Sequence, residues 1–365
     1  MSEKYDAVIL GAGINGLAIA RSLAESGKKV LVIEKTHIAA GASSHSSCLI
    51  HGGLRYLENL DFALVKEALY DQKQLLDSYP QLVKLRPFYL PVYRDSKRPV
   101  WMIRAGLWLY GFFTRHARKA AEVSVESFLK EFEAIRADDL KAVFRYYDGK
   151  TDDEALTRKI GEEAQEKGAY ILERTELTKV HIEAEAIILE TTRGVFQTKR
   201  LVNATGAWID EVNARFDLPS SYTIEKLSGI HLVIDRVLVP EPLILETSSR
   251  RIFFIIPEKK RTLIGTTERS EDAEIDKVRV NNEDIEYLLR ESSRYLKTEL
   301  KRRDIKEVFI GVRPIIKSSK EPGRMSREYK LDLHKIGESR VLHVYGGKLT
   351  TFPSLARRAV KVLLG

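Results

Sequence analysis

Apolar and polar positions lay out a βαβ unit at the start of the chain. Tyr5 to Leu10 is a short apolar, β-branched run stopped by glycine, the pattern of a buried strand. Leu17, Ala20, Leu23 and Ala24 then recur at helical spacing as far as Ser26, and Gly27 follows as a C-cap residue. Lys29 to Ile33 reads as a second strand that ends at Glu34. The same pattern predicts helices over Phe62–Asp77, Asp152–Lys167 and Asn282–Thr298. It predicts strands at 170–172, 180–182, 186–190 and 199–204. Between Thr223 and Thr267 the rhythm changes. Short strands at 231–234, 243–246, 251–256 and 263–267, with turn breaks such as Pro257, predict an antiparallel sheet separate from the first fold. Val341 to Tyr345 is a last strand, followed by Gly346-Gly347-Lys348 and a closing helix.

One segment supports two readings. Pro99 to Arg115 carries Trp101, Met102, Ile103, Leu107, Trp108, Leu109, Tyr110, Phe112 and Phe113. It is too short to span a bilayer, and Arg104 interrupts it. It is either a core helix under the sheet or an exposed aromatic stripe that rests, with Arg104 and Arg115, on an anionic bilayer.

Length and composition narrow the classes. The 365 residues suit two domains or one large α/β domain, and 44% apolar with 31% charged residues is globular usage. The single cysteine, Cys48, excludes an internal disulfide and a cysteine-rich metal site and fits a reducing compartment. The 8 histidines lack metal-ligand spacing, so no metal is expected. The opening residues lack the pattern of a secretory signal, and the expected location is cytoplasmic. The net charge of +8 comes from 60 basic and 52 acidic residues, scattered apart from runs such as Lys259-Lys260-Arg261. That points to small anionic ligands or an anionic membrane rather than nucleic acid.

The first turn of the βαβ unit carries chemistry. Gly11-x-Gly13-x-x-Gly16 follows a strand and opens a helix, and Glu34 closes the second strand at the distance a dinucleotide fingerprint requires. Gly11 permits the tight turn, Gly13 lets backbone amides approach a pyrophosphate, and Gly16 lets helix and strand pack closely. The helix N-terminus offers unpaired N–H donors to that anion. Glu34 accepts from ribose hydroxyls, which disfavours a 2′-phosphate. Lys199 to Trp208, KRLVNATGAW, places a second small-residue motif, Ala204-Thr205-Gly206, at a strand end. It is similar to the second motif of FAD enzymes, so FAD is favoured over NAD.

Four further segments carry a resemblance: Ser43 to Ser47 running into Leu49-Ile50-His51-Gly52-Gly53-Leu54-Arg55-Tyr56-Leu57-Glu58; Pro99 to Leu107; Gly311-Val312-Arg313-Pro314; and Gly346-Gly347-Lys348-Leu349-Thr350-Thr351. With NATGAW and Ile264-Gly265-Thr266-Thr267, the chain resembles the FAD-dependent glycerol-3-phosphate dehydrogenases of the bacterial respiratory type, over essentially its whole length. That resemblance implies an α/β fold of the D-amino-acid-oxidase-like flavoproteins. A Rossmann-like FAD domain (1–80, 145–215 and 335–365) is interleaved with an antiparallel-sheet substrate domain (81–144 and 216–334). The family usually carries lysine where Cys48 stands, and its full-length members continue into a C-terminal helical domain that this sequence lacks.

The resemblance also implies a reaction, partners and roles. sn-Glycerol 3-phosphate is oxidised at C2 to dihydroxyacetone phosphate, with electrons passing to a quinone or another acceptor. A peripheral contact with the inner face of the cytoplasmic membrane and a second copy of the chain are the further expected partners. Arg313 and Arg327 would clamp the phosphate. His231 is the first candidate base, for which a pKa near ~6.5 suits the task, and His51 is the alternative. Tyr56 and Thr267 would hydrogen-bond the substrate, and Lys348 would sit beside the flavin. The FAD cradle would comprise Gly11, Ala12, Gly13, Ile14, Asn15, Gly16, Glu34 and Lys35. Ala42, Ser43, Ser44, Ser47, Leu49, His51, Gly52 and Gly53 would add to it. So would Val180, Ala204, Thr205, Gly206, Trp208, Arg313, Gly347, Lys348, Leu349 and Thr350. The competing functions are an FAD-dependent oxidase of another 2-hydroxy acid or amine, and a non-catalytic FAD-binding protein.

Overall fold

A computed structural model gives the fold. The structure describes residues 2–54, 57, 61–114, 120–317 and 329–365. It is mixed α/β, as expected, with three sheets. Five strands of the six-stranded sheet run parallel in the order Ser339–Tyr345, Arg200–Asn203, Ala7–Leu10, Val30–Ile33, Tyr170–Leu172. Lys330–Ile336 closes one edge antiparallel to Ser339–Tyr345. Ala7–Leu10 and Val30–Ile33 are buried on both faces, which is why they read as continuous apolar runs. Helices Ile14–Glu25, Asp153–Glu166 and Phe352–Leu364 cover one face around Leu17, Ile19, Leu23, Ile160 and Leu355. Asp152 accepts the Ala155 amide at 3.0 Å and starts the second of these helices.

The larger sheet has ten strands. Next to one edge of it lies the strand Ile224–Ile234, paired antiparallel with Ile305–Ile316 on one side and with Arg261–Gly265 on the other. A small four-stranded sheet, including Leu177–Ile182, packs on the remaining face of the parallel sheet.

Individual strands fall across the expected boundaries. Leu140–Lys150 pairs along its length with Lys84–Tyr93, so it lies wholly in the ten-stranded sheet although the expected boundary runs between 144 and 145. Lys330–Ile336 lies in the six-stranded sheet and spans the expected boundary between 334 and 335. Leu49–Ile50, from the expected cofactor part, joins the ten-stranded sheet beside Gly149 and Lys150. Lys84–Tyr93 escaped the sequence pattern because Pro87 and Pro91 argue against a strand. Both are two residues from Tyr89, whose amide donates to Pro242 O, away from the Leu140–Lys150 partner. Their missing N–H groups therefore cost that ladder nothing.

The aromatic segment is the helix Val100–Phe113. Leu107 and Tyr110 are buried, while Trp101, Trp108 and Phe112 are 69%, 76% and 78% exposed. One side of the helix packs in the core with Leu69 and Phe88, and the other carries an exposed aromatic stripe; Arg115 lies outside the described residues.

Gly16 shows how tightly the first turn is built. A Cβ there would lie 2.1 Å from Gly11 O. Alanine in a helix interior is worth about 1 kcal/mol over glycine, but overpacking costs about 1–3 kcal/mol. Gly16→Ala is therefore expected to lower the denaturant midpoint followed by circular dichroism. A midpoint at or above the wild-type value would contradict this packing.

Candidate active site

The C-terminal ends of the parallel strands and the inner face of the ten-stranded sheet enclose a cavity of about 1600 Å³. That exceeds the roughly 300–1,000 Å³ of ordinary small-ligand sites.

Gly11 has φ +98°, and a Cβ on it would lie 2.7 Å from Ala204 O. The turn can thus cross against the end of the neighbouring strand only as glycine. Gly13 caps the helix Ile14–Glu25 without a side-chain bond of its own. Ser43 Oγ takes the Ile14 amide at 3.0 Å, bringing the small-residue loop over the helix N-terminus. Glu34 accepts the Ala12 amide at 2.8 Å and the Thr36 amide at 2.9 Å. Asn15 donates to Gly346 O at 3.4 Å, while its Oδ1 is buried without a partner among the described residues. Thr205 donates through its hydroxyl to Asn203 Oδ1 at 2.7 Å; Asn203 donates to Asn213, and Asn213 to the Tyr345 hydroxyl. This buried chain joins the strand ends that carry the NATGAW and GGKLTT motifs.

Most expected residues face this cavity. Gly11, Gly13, Ile14, Asn15, Glu34 and Lys35 line it, as do Ala42, Ser43, Ser47, Leu49, His51 and Gly53. Ala204, Thr205, Gly206 and Trp208 line it from the second motif, and Gly347, Lys348 and Leu349 from the last. His231, Thr267 and Arg313 reach it from the ten-stranded sheet. Ala12 and Gly16 are buried behind the turn. Ser44, Gly52 and Thr350 stand one layer back, Ser44 donating to Ala39 O at 2.7 Å. Val180 does not reach the cavity: it packs in the cluster of the four-stranded sheet, and Thr175, Glu176 and Leu177 line the wall instead. Tyr56 and Arg327 lie outside the described residues.

His231 differs most from expectation. It is 2% exposed, stacked on Phe309 with ring centroids 4.9 Å apart. On its other side a Cβ at Gly265 would lie 2.3 Å from the ring, so glycine makes the space for it. Nε2 meets Ser47 Oγ at 3.0 Å, and Nδ1 has no partner among the described residues. Burial, then the nearby Arg313 charge, pushes its pKa down to about 3 instead of the expected ordinary value. Arg313 donates to Thr266 Oγ1 at 2.9 Å and lies 4.0 Å from Glu268. A Cβ on Gly229 would meet Thr266, Thr267 and Arg313 within 3.0 Å, so a bare backbone also shapes this end. Thr267 Oγ1 accepts the Ile230 amide at 3.0 Å, which commits its acceptor and leaves its O–H to donate.

Several cavity residues carried no sequence signal. Asp148 sits on a strand without a motif, and burial pushes its carboxyl up to about 7. Asp276 accepts from Trp208 at 3.0 Å and pairs with Lys35 at 2.6 Å, closing the rim. Cys48 lies 3.6 Å from Asp153 Oδ1, and burial raises its thiol far above the ordinary range, so it is no ready nucleophile.

The neutral state of His231 is directly measurable. Unfolded, it binds a proton near pH ~6.5; folded, only near about 3. The unfolded chain binds the extra proton in that window, so His231 makes stability fall as pH drops from the first value towards the second. Histidine NMR is expected to find one ring that does not titrate between about pH 8 and 5. Titration of His231 near ~6.5 would contradict this burial.

The model of the FAD dependent oxidoreductase family matches residues 6–361. The glycerol-3-phosphate dehydrogenase of Pseudomonas tolaasii is 36% identical over 373 residues, covering 100% of this chain and 72% of that protein. The D-erythritol 1-phosphate dehydrogenase of Brucella abortus is 33% identical, covering 98% of this chain and 73% of that protein. Among solved structures, the FAD complex of the glycerol-3-phosphate dehydrogenase from Bacillus halodurans superposes with a TM-score of 0.77 at 23% identity. It is matched over 99% of this chain, which spans 64% of it. The dinucleotide turn, the interleaved sheets and the length of the match lead to one conclusion: this chain belongs to the FAD dependent oxidoreductase family.

Proposed function

We propose that the protein oxidises sn-glycerol 3-phosphate to dihydroxyacetone phosphate and passes the electrons to a quinone or another acceptor. The carrying observation is one cavity that joins a dinucleotide cradle to a guanidinium, Arg313, set beside the hydroxyls of Thr266 and Thr267. The residues present fit FAD. The Gly11–Gly13 turn leaves backbone room for a pyrophosphate, Glu34 stands where ribose hydroxyls are accepted, and the buried Asn15 Oδ1 awaits a donor. FAD held there would supply the redox chemistry, as an acceptor of hydride.

The chain's own residues do the rest. Arg313 binds the phosphate dianion, and Thr266 steers its guanidinium. Thr267, its acceptor committed to Ile230, donates to a substrate oxygen. The C2 hydroxyl proton needs a base. A lasting imidazolium at His231 is opposed by burial and by Arg313, so His231 serves mainly to hold Ser47 through Nε2. His51, on the cavity wall beside Gly53, takes first place as the proton acceptor. Lys348 heads the short turn Leu349–Thr351 and adds a positive charge for the anionic cofactor.

The relatives include dehydrogenases of two polyol phosphates, so the test must separate substrates. The purified protein is expected to be yellow and to bleach anaerobically with glycerol 3-phosphate. Bleaching only with erythritol 1-phosphate, or only with a 2-hydroxy acid or amine, would overturn the substrate; no bleaching with any of them would overturn the oxidase chemistry. Arg313→Ala should raise KM about tenfold or more, the worth of a charge-assisted bond. An unchanged KM would remove Arg313 from the phosphate site.

We extend the proposal to a peripheral membrane contact. Among the described residues no helix is long and apolar enough to cross a membrane. Trp101, Trp108 and Phe112 instead project from the helix Val100–Phe113, which suits insertion at the headgroup boundary. The protein is expected to sediment with anionic vesicles, and the combined Trp101→Ala, Trp108→Ala and Phe112→Ala variant to stay in the supernatant. Equal sedimentation of both would exclude this face.

A further inference from the structure

The loop His51-Gly52-Gly53 enters the cavity from the end of the strand Leu49–Ile50. What fixes it lies behind it. Asp148, on the strand Leu140–Lys150, is 4% exposed. Its Oδ1 accepts the Gly52 amide at 2.8 Å, the Gln72 side-chain amide at 2.5 Å and the Gly149 amide at 3.2 Å. Gln72 is fully buried on the helix Phe62–Ser78 and also donates to Ile50 O at 2.7 Å. One carboxylate oxygen therefore ties together a helix, a strand and the loop. There is no slack on the loop's far side. A Cβ on Gly52 would lie 2.0 Å from the Tyr110 hydroxyl and 2.5 Å from Leu69.

The charge needs a reason. A bracket that only joins elements works with a neutral side chain and avoids desolvating a carboxylate. The groups that face Asp148 are Gln72 from one helix, Tyr110 from another, Tyr146 and Gly149 from its own strand, and Gly52 from the loop. Ionisation is opposed by burial and favoured by the three amide donors, which leaves the carboxyl pushed up to about 7. Asp148 also lines the cavity.

We propose that Asp148 is a positioning residue whose ionised carboxylate holds loop 51–53, and with it His51, in the form that receives FAD. This rests on the FAD reading of the cavity and not on the identity of the substrate. Protonation weakens acceptance at Oδ1, so the loop loosens as pH falls through the Asp148 pKa. FAD binding favours the ionised form, so affinity rises with pH and levels off above that value.

The test is FAD release from the full-chain holoenzyme on dilution, read by flavin fluorescence between about pH 5.5 and 8.5. The wild type is expected to lose affinity about tenfold from the alkaline to the acid end. Asp148→Asn should bind about tenfold more weakly at the alkaline end and show no such pH dependence. Gln72→Ala keeps the carboxylate but removes one donor, and should move the midpoint to higher pH. Wild-type affinity and pH dependence in Asp148→Asn would overturn the proposal. So would an unmoved midpoint in Gln72→Ala, which decides the matter if the first variant does not fold. No substrate is used, so a failure here is distinct from a failure to oxidise glycerol 3-phosphate.

Discussion

The site depends on one close approach of backbone to backbone. Gly11 turns against the end of the strand Arg200–Asn203, and the helix Ile14–Glu25 starts directly beneath that turn. Any side chain at Gly11 or Gly16 would push strand and helix apart. With both absent, the helix N-terminus and two strand ends converge on one point. The serine loop, the NATGAW turn and the GGKLTT turn then dock around that point through Ser43, Asn203 and Asn15. The cavity is what remains when four chain segments crowd one turn.

The second wall obeys the same logic with different atoms. Gly229 and Gly265 withdraw their side chains on neighbouring strands, and Thr266, Arg313 and His231 occupy the space they leave. His231 and Arg313 stand on paired strands of the same sheet, which fixes their backbone positions. The same crowding has a chemical consequence. A histidine pressed between Phe309 and a bare backbone, beside a guanidinium, cannot keep a proton readily. Packing keeps His231 a neutral hydrogen-bond partner of Ser47.

Charge is distributed in the same economical way. Many of the chain's charges sit in exposed pairs, such as Arg104 with Glu122, which contribute little to stability. Arg313, by contrast, lies in the cavity, where it donates to Thr266 and pairs with Glu268 at 4.0 Å. Asp148 holds the one buried carboxylate oxygen that gathers three donors behind the active-site loop.

Sequence alone determined the dinucleotide turn, the FAD preference, the α/β class and the family, because each rests on local chemistry: glycine spacing, apolar runs and long motifs such as HGGLRYLE. Those features need no distant partner to be recognised. Tertiary structure decided everything that depends on what lies opposite. It made Lys84–Tyr93 a strand despite Pro87 and Pro91, since their missing N–H groups point away from the paired neighbour. It turned the aromatic stripe of Val100–Phe113 outward, left Val180 away from the cofactor cavity, and kept His231 neutral. It also brought Asp148 behind the His51 loop, a contact between residues far apart in sequence and carried by no motif. Burial and desolvation are properties of the surroundings, and the surroundings of a side chain exist only once the sheets have closed.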